Sequence, residues 1–406
     1  MAQGFTRSVT TTNVVGISGS NVSAFGDLNV AQFTPVVQLD FVYGINIQTG
    51  TSSVVTTGVV DTNASRLRIQ TGVGAAGSGV FQSTRIARYR AGQGMMARFT
   101  AFWSSSAANS TQVVGVGDTQ VGYFFGYNGI NFGVSIRNGG SDTWTAQSSW
   151  NGDKCDGLGA SGFNWNKTLG NVMMIQYPYL GYGDIKFFAQ NSLTGGWILC
   201  HTIQYTNSSQ SIQVSNPSFP FFAASTNTGN TTNLIMFVGS VGVFISGVRE
   251  FLGSSWATDS LKNTITAEAN LLNIRNCTTY NGVTNRGLLR FRSLSCATDN
   301  GNGLATVRFR TGVTLGGAPV FAPINGSTAD NGVTITSGNS ISSADVAGTG
   351  VTGTLLFNVC MARNSNVVYD LTPFNIFLAP GNTLTVTAFS AASASIQVAV
   401  NWTEDV

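Results

Sequence analysis

The stretch GYFFGYNGINFGVSIRNGG, residues 122–140, decides how this chain is read. Aromatic residues and glycines alternate in it with almost no charge. Asn128-Gly129 is a strong hairpin signal, because both positions tolerate positive φ. Cutting the stretch there leaves GYFFGY on one strand and INFGVSIR on its partner. Tyr123, Phe124, Phe125 and Tyr127 then face Phe132, Val134 and Ile136 across an antiparallel pair. Large aromatics on such a pair either fill a core or line a shallow groove, and packing is the expectation here.

The same pattern runs outward through the chain. Short apolar or alternating runs at 35–45, 97–103, 172–180, 184–190, 196–203 and 306–313 read as strands. Between them, NGG (138–140), NGD (151–153), LTGG (193–196) and DNGNG (299–303) read as turns. Residues 234–248, LIMFVGSVGVFISGV, are too short for a membrane span and carry glycines at strand-like spacing, so a buried strand pair is expected. The main helical candidate, 257–275, is rich in Thr and Asn and reads instead as a linker entering a strand. The chain is thus expected to be all-β, with two β-sandwich or jelly-roll domains in tandem.

Length supports two cores, since 406 residues exceed what one ordinary domain holds. A Gly/Ser turn region near 250–265 suggests the boundary. The expected organisation is an N-terminal arm at 1–20, a first sandwich at 21–255 and a second, jelly-roll-like sandwich at 265–406.

Charged residues make up only 9% of the chain, against about a quarter in ordinary soluble domains. Hydrophobic residues make up 42%, which argues against disorder. The 20 basic and 17 acidic residues nearly cancel, leaving +3. No nucleic-acid partner is expected from that balance. The densest basic cluster, RIARYR at 85–90, is a short strand segment. The N-terminus lacks the apolar core of a signal peptide, and no membrane insertion is expected.

Chemistry is sparse. The five cysteines, Cys155, Cys200, Cys277, Cys296 and Cys360, include no C-x-x-C, and free buried thiols are the expectation. Cys277 and Cys296 are the alternative, as neighbours able to pair. The one histidine, His201, follows Cys200, and on a strand the two side chains point to opposite faces, so they form no catalytic pair. No G-x-S-x-G elbow is present. The acids Asp40, Asp61, Asp118, Asp142, Asp153, Asp156, Asp184 and Glu250 sit mostly in turn-like sequence, where carboxylates bond local amides. Asp153 and Asp156 loosely resemble part of a calcium loop without its alternating ligands. No metal, no cofactor and no enzymatic activity are expected. Tyr177, Tyr179, Tyr182 and Trp197 could supply stacking surfaces for a sugar.

As a set, RYRAGQGMMARFTAFW (88–103), residues 122–140, IQYPYLGYGDIKFF (175–188), CHTIQYTN (200–207) and NPSFPF (216–221) resemble a group of particle proteins from tailed phages and large DNA viruses. NIRNCTTYNGVTNRG (273–287), RFRSLS, VRFRTG, LAPGNTLTV (378–386) and the ending NWTEDV extend the resemblance into the second half. It implies a concanavalin-like first sandwich and a jelly-roll-type second one. It also implies a structural protein of the virion exterior: a minor capsid, decoration, spike or fibre component assembled in the host cytoplasm. Its implied partners are further copies of itself, as a homotrimer, and other capsid proteins. The alternative is a carbohydrate-binding module for host attachment; a glycan-cleaving spike enzyme is the remotest reading. Here QYPYLGYG stands where the group has a Trp-Leu-Gly pattern, and CHTIQYTN replaces a more His-rich strand, so no site residue carries over.

Overall fold

The computed structural model describes residues 32–248, 253–299, 304–324, 334–335, 340 and 342–405; the expected N-terminal arm at 1–20 lies outside them. No α-helix occurs among the described residues. The chain forms two tandem β-sandwiches, as the alternation of apolar residues and turn signals predicts.

The first sandwich packs an eight-stranded sheet on a seven-stranded one. The eight-stranded sheet runs in the order Trp197–Ile203, Ile185–Gln190, Asn171–Tyr177, Met95–Trp103, Ile235–Ser246, Arg66–Gln70 and Val59–Asn63, with Phe33–Asp40 also paired to Ile235–Ser246. The seven-stranded sheet runs Ser141–Ala146, Asn131–Asn138, Gly122–Asn128, Ser110–Gly117, Phe219–Asn227, Ser78–Ala87 and Gly50–Val55. The hairpin of residues 122–138 therefore lies inside this sheet, and its inner face closes the core. The Phe125 ring lies 6.4 Å from Phe99 and 5.2 Å from Phe187, both on the opposite sheet. Phe124 points the other way, into a small separate cluster with Val113, Phe222 and Ala224.

The hairpin turn is one residue later than Asn128-Gly129 would place it. Asn128 pairs with Asn131, so the central positions are Gly129 and Ile130. Gly129 takes φ +61°, the conformation a two-residue hairpin needs at its first central position. The glycines within the strands have a different cause. A Cβ on Gly126 would sit 1.8 Å from the Gln112 carbonyl oxygen, and one on Gly133 would sit 2.2 Å from that of Thr145. Neighbouring strands approach too closely there for any side chain.

Residues 235–246 form one twelve-residue strand with a bulge between Val238 and Val241, rather than the expected strand pair. Its alternating burial puts Met236, Val238, Val241, Val243 and Ile245 in the core.

The second sandwich begins earlier than expected. Ser254–Ile265 pairs along its length with Ala394–Asp405, so the segment read as a linker is already a strand of the second domain. It joins a five-stranded sheet with Leu288–Thr298, Asn366–Asp370 and Phe377–Leu378. The facing six-stranded sheet contains Ala269–Asn276, Thr383–Ser390 and Ala305–Thr311 at its centre, with Thr354–Met361 at one edge and Ser342–Asp345 and Ala322–Pro323 on the other side. Thr and Asn are compatible with both long strands because amides and hydroxyls can satisfy one another on a covered face. Asn273 donates to Asp345 at 3.1 Å and accepts from the Thr385 hydroxyl at 2.9 Å.

One charged group anchors the neighbouring row. Glu268 accepts from Arg308 at 2.5 Å, from Arg310 at 3.0 Å and from the Thr387 hydroxyl at 2.7 Å. Burial pushes its carboxyl up, but the Thr387 and Arg310 hydrogen bonds outweigh burial and hold it below its ordinary value of 4.5. A folded-state pKa below the unfolded one stabilises above the ordinary value, and that stability is lost as pH falls. Glu268→Gln is expected to lower stability at pH 7, with the gap to the parent narrowing as pH falls below the ordinary carboxylate value and through the lowered folded-state one. Urea unfolding of both proteins across a series of pH values from 7 downward checks this.

The two sandwiches are joined by a buried clasp. Arg286 of the second domain donates to the Asn216 and Ser218 carbonyls, each at 2.8 Å, and pairs with Asp118 of the first. Its guanidinium lies 5.8 Å from the Phe219 ring. A second crossing contact places Arg85 over Phe377 at 5.1 Å.

Candidate functional site

The outer face of the eight-stranded sheet is where chemistry gathers. Strand register fixes which side chains share it. Arg98, Met174, Phe188 and Leu199 lie in one cross-strand row. The next row runs Phe244, Met96, Gln176 and Lys186. Alternation explains both rows: each of these residues sits between core residues on its strand, such as Ala97 and Phe99, or Ile185 and Phe187.

At the end of the second row the sheet opens into a groove of about 470 Å³. Its apolar lining includes Phe33 and Met96, and its polar lining Gln176, Asp184, Lys186 and Thr206. Phe33 is 43% exposed, so its ring is available to a ligand. Asp184 is fixed by accepting the amides of Tyr205 at 3.1 Å and Thr206 at 3.4 Å through Oδ1. The Thr206 hydroxyl in turn donates to the Tyr182 carbonyl at 3.0 Å. An amide, a carboxylate, an ammonium and a hydroxyl thus converge beside exposed apolar surface, the general make-up of a small-molecule site.

The four aromatic residues singled out in the sequence do not form one platform. Tyr177 is buried, its ring packed 4.9 Å from Tyr123 and 5.7 Å from Phe219. Burial pushes its hydroxyl pKa up, so it stays protonated. Tyr179 packs edge-on to Tyr89 at 4.9 Å and donates to the Val214 carbonyl. Tyr182 is part-exposed and outside the groove lining, its hydroxyl donating to the Gln210 carbonyl. Trp197 is also part-exposed, with the Arg98 guanidinium 5.7 Å from its ring. Ile185 pairs with Ile203 and Gln190 with Trp197, so Tyr182 and Trp197 lie at opposite ends of that strand pair. The separation is about 17 Å along the strands.

Sequence reasoning missed Phe33, Gln176, Lys186 and Thr206. Segment 184–190 reads as a strand, but local sequence could not supply the register that brings Lys186 beside Gln176 and Met96.

The remaining polar residues are engaged elsewhere. His201 accepts the Asn151 amide at Nδ1, and burial pushes its pKa down. Asp153 accepts the amides of Cys155 and Ser161, and Asp156 that of Leu158. Asp61 pairs with Arg68, and Asp142 with Arg137. Glu250 lies outside the described residues. No group of three or more His, Cys, Asp or Glu side chains placed to hold a metal occurs among the described residues. No helix among them is long and apolar enough to cross a membrane.

The sequence matches no family model and no curated protein. Among solved structures, the chain is similar to legume-lectin-like domains. The carbohydrate recognition domain of Emp47p aligns at 10% identity and TM-score 0.34, over 57% of this chain and 100% of that one. A legume lectin-like domain from Entamoeba histolytica aligns at 13% and 0.33, over 52% and 97%. Lectin II from Ulex europaeus aligns at 10% and 0.34, over 53% and 100%.

Proposed function

We propose that this protein is a non-catalytic recognition protein that binds carbohydrate in the groove on the outer face of its first sandwich. The observation that carries the reading is the convergence of Gln176, Asp184, Lys186 and Thr206 beside the exposed Phe33 ring. Sugar hydroxyls need paired donors and acceptors, and the apolar C–H face of a pyranose needs a flat apolar surface; this groove offers both. The second sandwich, held by the Arg286 clasp, acts as its support.

The test is a glycan panel titrated against the full chain by calorimetry or ligand-observed NMR. At least one glycan is expected to bind. Lys186→Ala is expected to weaken it about tenfold or more, since hydrogen bonds to charged groups contribute about 1.5–3 kcal/mol. Phe33→Ala is expected to weaken it as well. Trp197→Ala, at the far end of the sheet, is expected to leave it unchanged. Loss with Trp197→Ala alone would move the site to the Arg98–Trp197 end, and no binding at millimolar ligand would end the reading.

A self-assembling structural component of a virion exterior is the second reading. A separate observation favours it. On the second sandwich, Phe357 gathers Tyr369 at 5.9 Å and Phe374 at 4.9 Å, and Tyr369 and Phe374 keep exposed surface. Exposed clusters of aromatic side chains mark association sites. Light scattering would support the reading with a mass that is a stable multiple of the chain, and Phe374→Asp would return it to one.

A further inference from the structure

We infer that Cys155 and Cys200 form a covalent modification site: a buried dithiol built to close into a disulfide that staples the 150–165 segment to the edge strand Trp197–Ile203. Their sulfurs lie 3.6 Å apart, and both residues are fully buried. The backbone holds them together independently of the sulfurs. The Gly152 amide donates to the Cys200 carbonyl at 3.0 Å, and the Asp153 amide to the Leu199 carbonyl at 2.9 Å. On the other side, the Cys155 carbonyl accepts from Trp165, and the Cys155 amide donates to Asp153 Oδ1. Closing the bond therefore needs an approach of the two sulfurs and no rearrangement of the chain.

The other cysteines are placed differently. Cys277 sits against the Ser343 hydroxyl at 3.5 Å, Cys296 is packed into the second core, and Cys360 is exposed beside Thr306. Cys277 and Cys296, the neighbours that sequence spacing suggested, are not joined, and no disulfide links any of the five cysteines in this structure.

The step is thiol–disulfide exchange with a small disulfide such as oxidised glutathione. One thiolate attacks a glutathione sulfur, expelling the first glutathione thiolate. The second cysteine thiolate then attacks the mixed disulfide and expels the other. One S–S bond breaks and one forms; the protein loses two protons and two electrons, and the small disulfide is reduced to two thiols. The hydrogen bond that the Cys200 thiol gives to Cys155, together with burial, pushes that thiol well up, so in the closed fold the attacking thiolate is scarce. The redox state is consequently set while the 150–165 segment is open, during folding, and is retained afterwards. This inference does not depend on the glycan reading.

The experiment expresses the full chain in a reducing and in an oxidising bacterial cytoplasm, alkylates each product in denaturant, and counts labels by intact mass. Five labels are expected from the reduced product and three from the oxidised one, with peptide mapping linking Cys155 to Cys200. The oxidised form is expected to melt roughly 5–10 °C higher, because the bond closes a loop of some 45 residues in the unfolded chain. The Cys155→Ser/Cys200→Ser double variant is expected to melt at one temperature from both hosts. Five labels from both products, a link between other cysteines, or a linked form that melts no higher would each overturn the inference.

Discussion

Phe125→Ala is expected to cost the first sandwich about 3–5 kcal/mol, the range for removing a fully buried aromatic ring. Phe125 has no exposed surface, and its ring meets Phe99, Trp150, Trp165 and Phe187 at centroid distances between 5.2 and 6.4 Å. Those partners come from the opposite sheet and from the segment carrying Trp150 and Trp165, so no single neighbour can move to fill the void. For a domain of this size, that loss lowers the melting temperature by about 10 °C or more. Ile130→Ala, at the exposed hairpin turn, is expected to stay within about 0.5 kcal/mol of the parent. Thermal and urea unfolding of the three proteins checks both. A loss below about 1 kcal/mol for Phe125→Ala would mean that the two sheets do not pack through this ring.

That hairpin also shows how far the sequence could be read. Alternation alone paired Phe125 with the core and gave the strands on either side of it, because a period of two is a local property. It missed the turn by one residue: Asn-Gly is favourable at either of two positions, and the Gln112 and Thr145 carbonyls that crowd Gly126 and Gly133 come from strands whose register is not local. Residues 257–275 went astray for a related reason. Their Thr and Asn content reads as loop until the six-stranded sheet supplies Thr385, Thr387 and Asp345 as partners. The same holds for the groove. Asp184 was visible as a turn carboxylate and Tyr182 as an aromatic, but Phe33 and Thr206 reach the groove from segments more than 170 residues apart. The cysteine pair was hidden likewise, since 45 residues separate Cys155 from Cys200 and only the backbone pairing of 152–153 with 199–200 brings them together.

Arg286→Ala is expected to uncouple the two sandwiches. The side chain is about 5% exposed and carries three interactions into the first domain: the Asn216 and Ser218 carbonyls and the Asp118 carboxylate. Burial lowers its pKa, yet Asp118 opposes that shift and keeps the guanidinium charged. Truncation leaves the carboxylate facing a void between the domains, and removing one partner of a buried ion pair costs about 3–5 kcal/mol. Asp118 is not free to turn away, because its Oδ1 accepts the amides of Gln120 and Val121 at 2.7 and 2.9 Å. The parent is expected to unfold calorimetrically in one transition and the variant in two, each sandwich melting on its own core. Arg286→Lys is expected to behave more like the alanine variant than like the parent, because an ammonium cannot serve two carbonyls and a carboxylate in the planar fork geometry. Asp118→Asn separates the charge from the geometry: it leaves Arg286 its two carbonyls, so it should cost less than Arg286→Ala. A double-mutant cycle with Arg286→Ala should return a coupling energy of about 1–3 kcal/mol. A single unchanged transition in Arg286→Ala would place the coupling of the domains elsewhere, with the Arg85–Phe377 contact the first to examine.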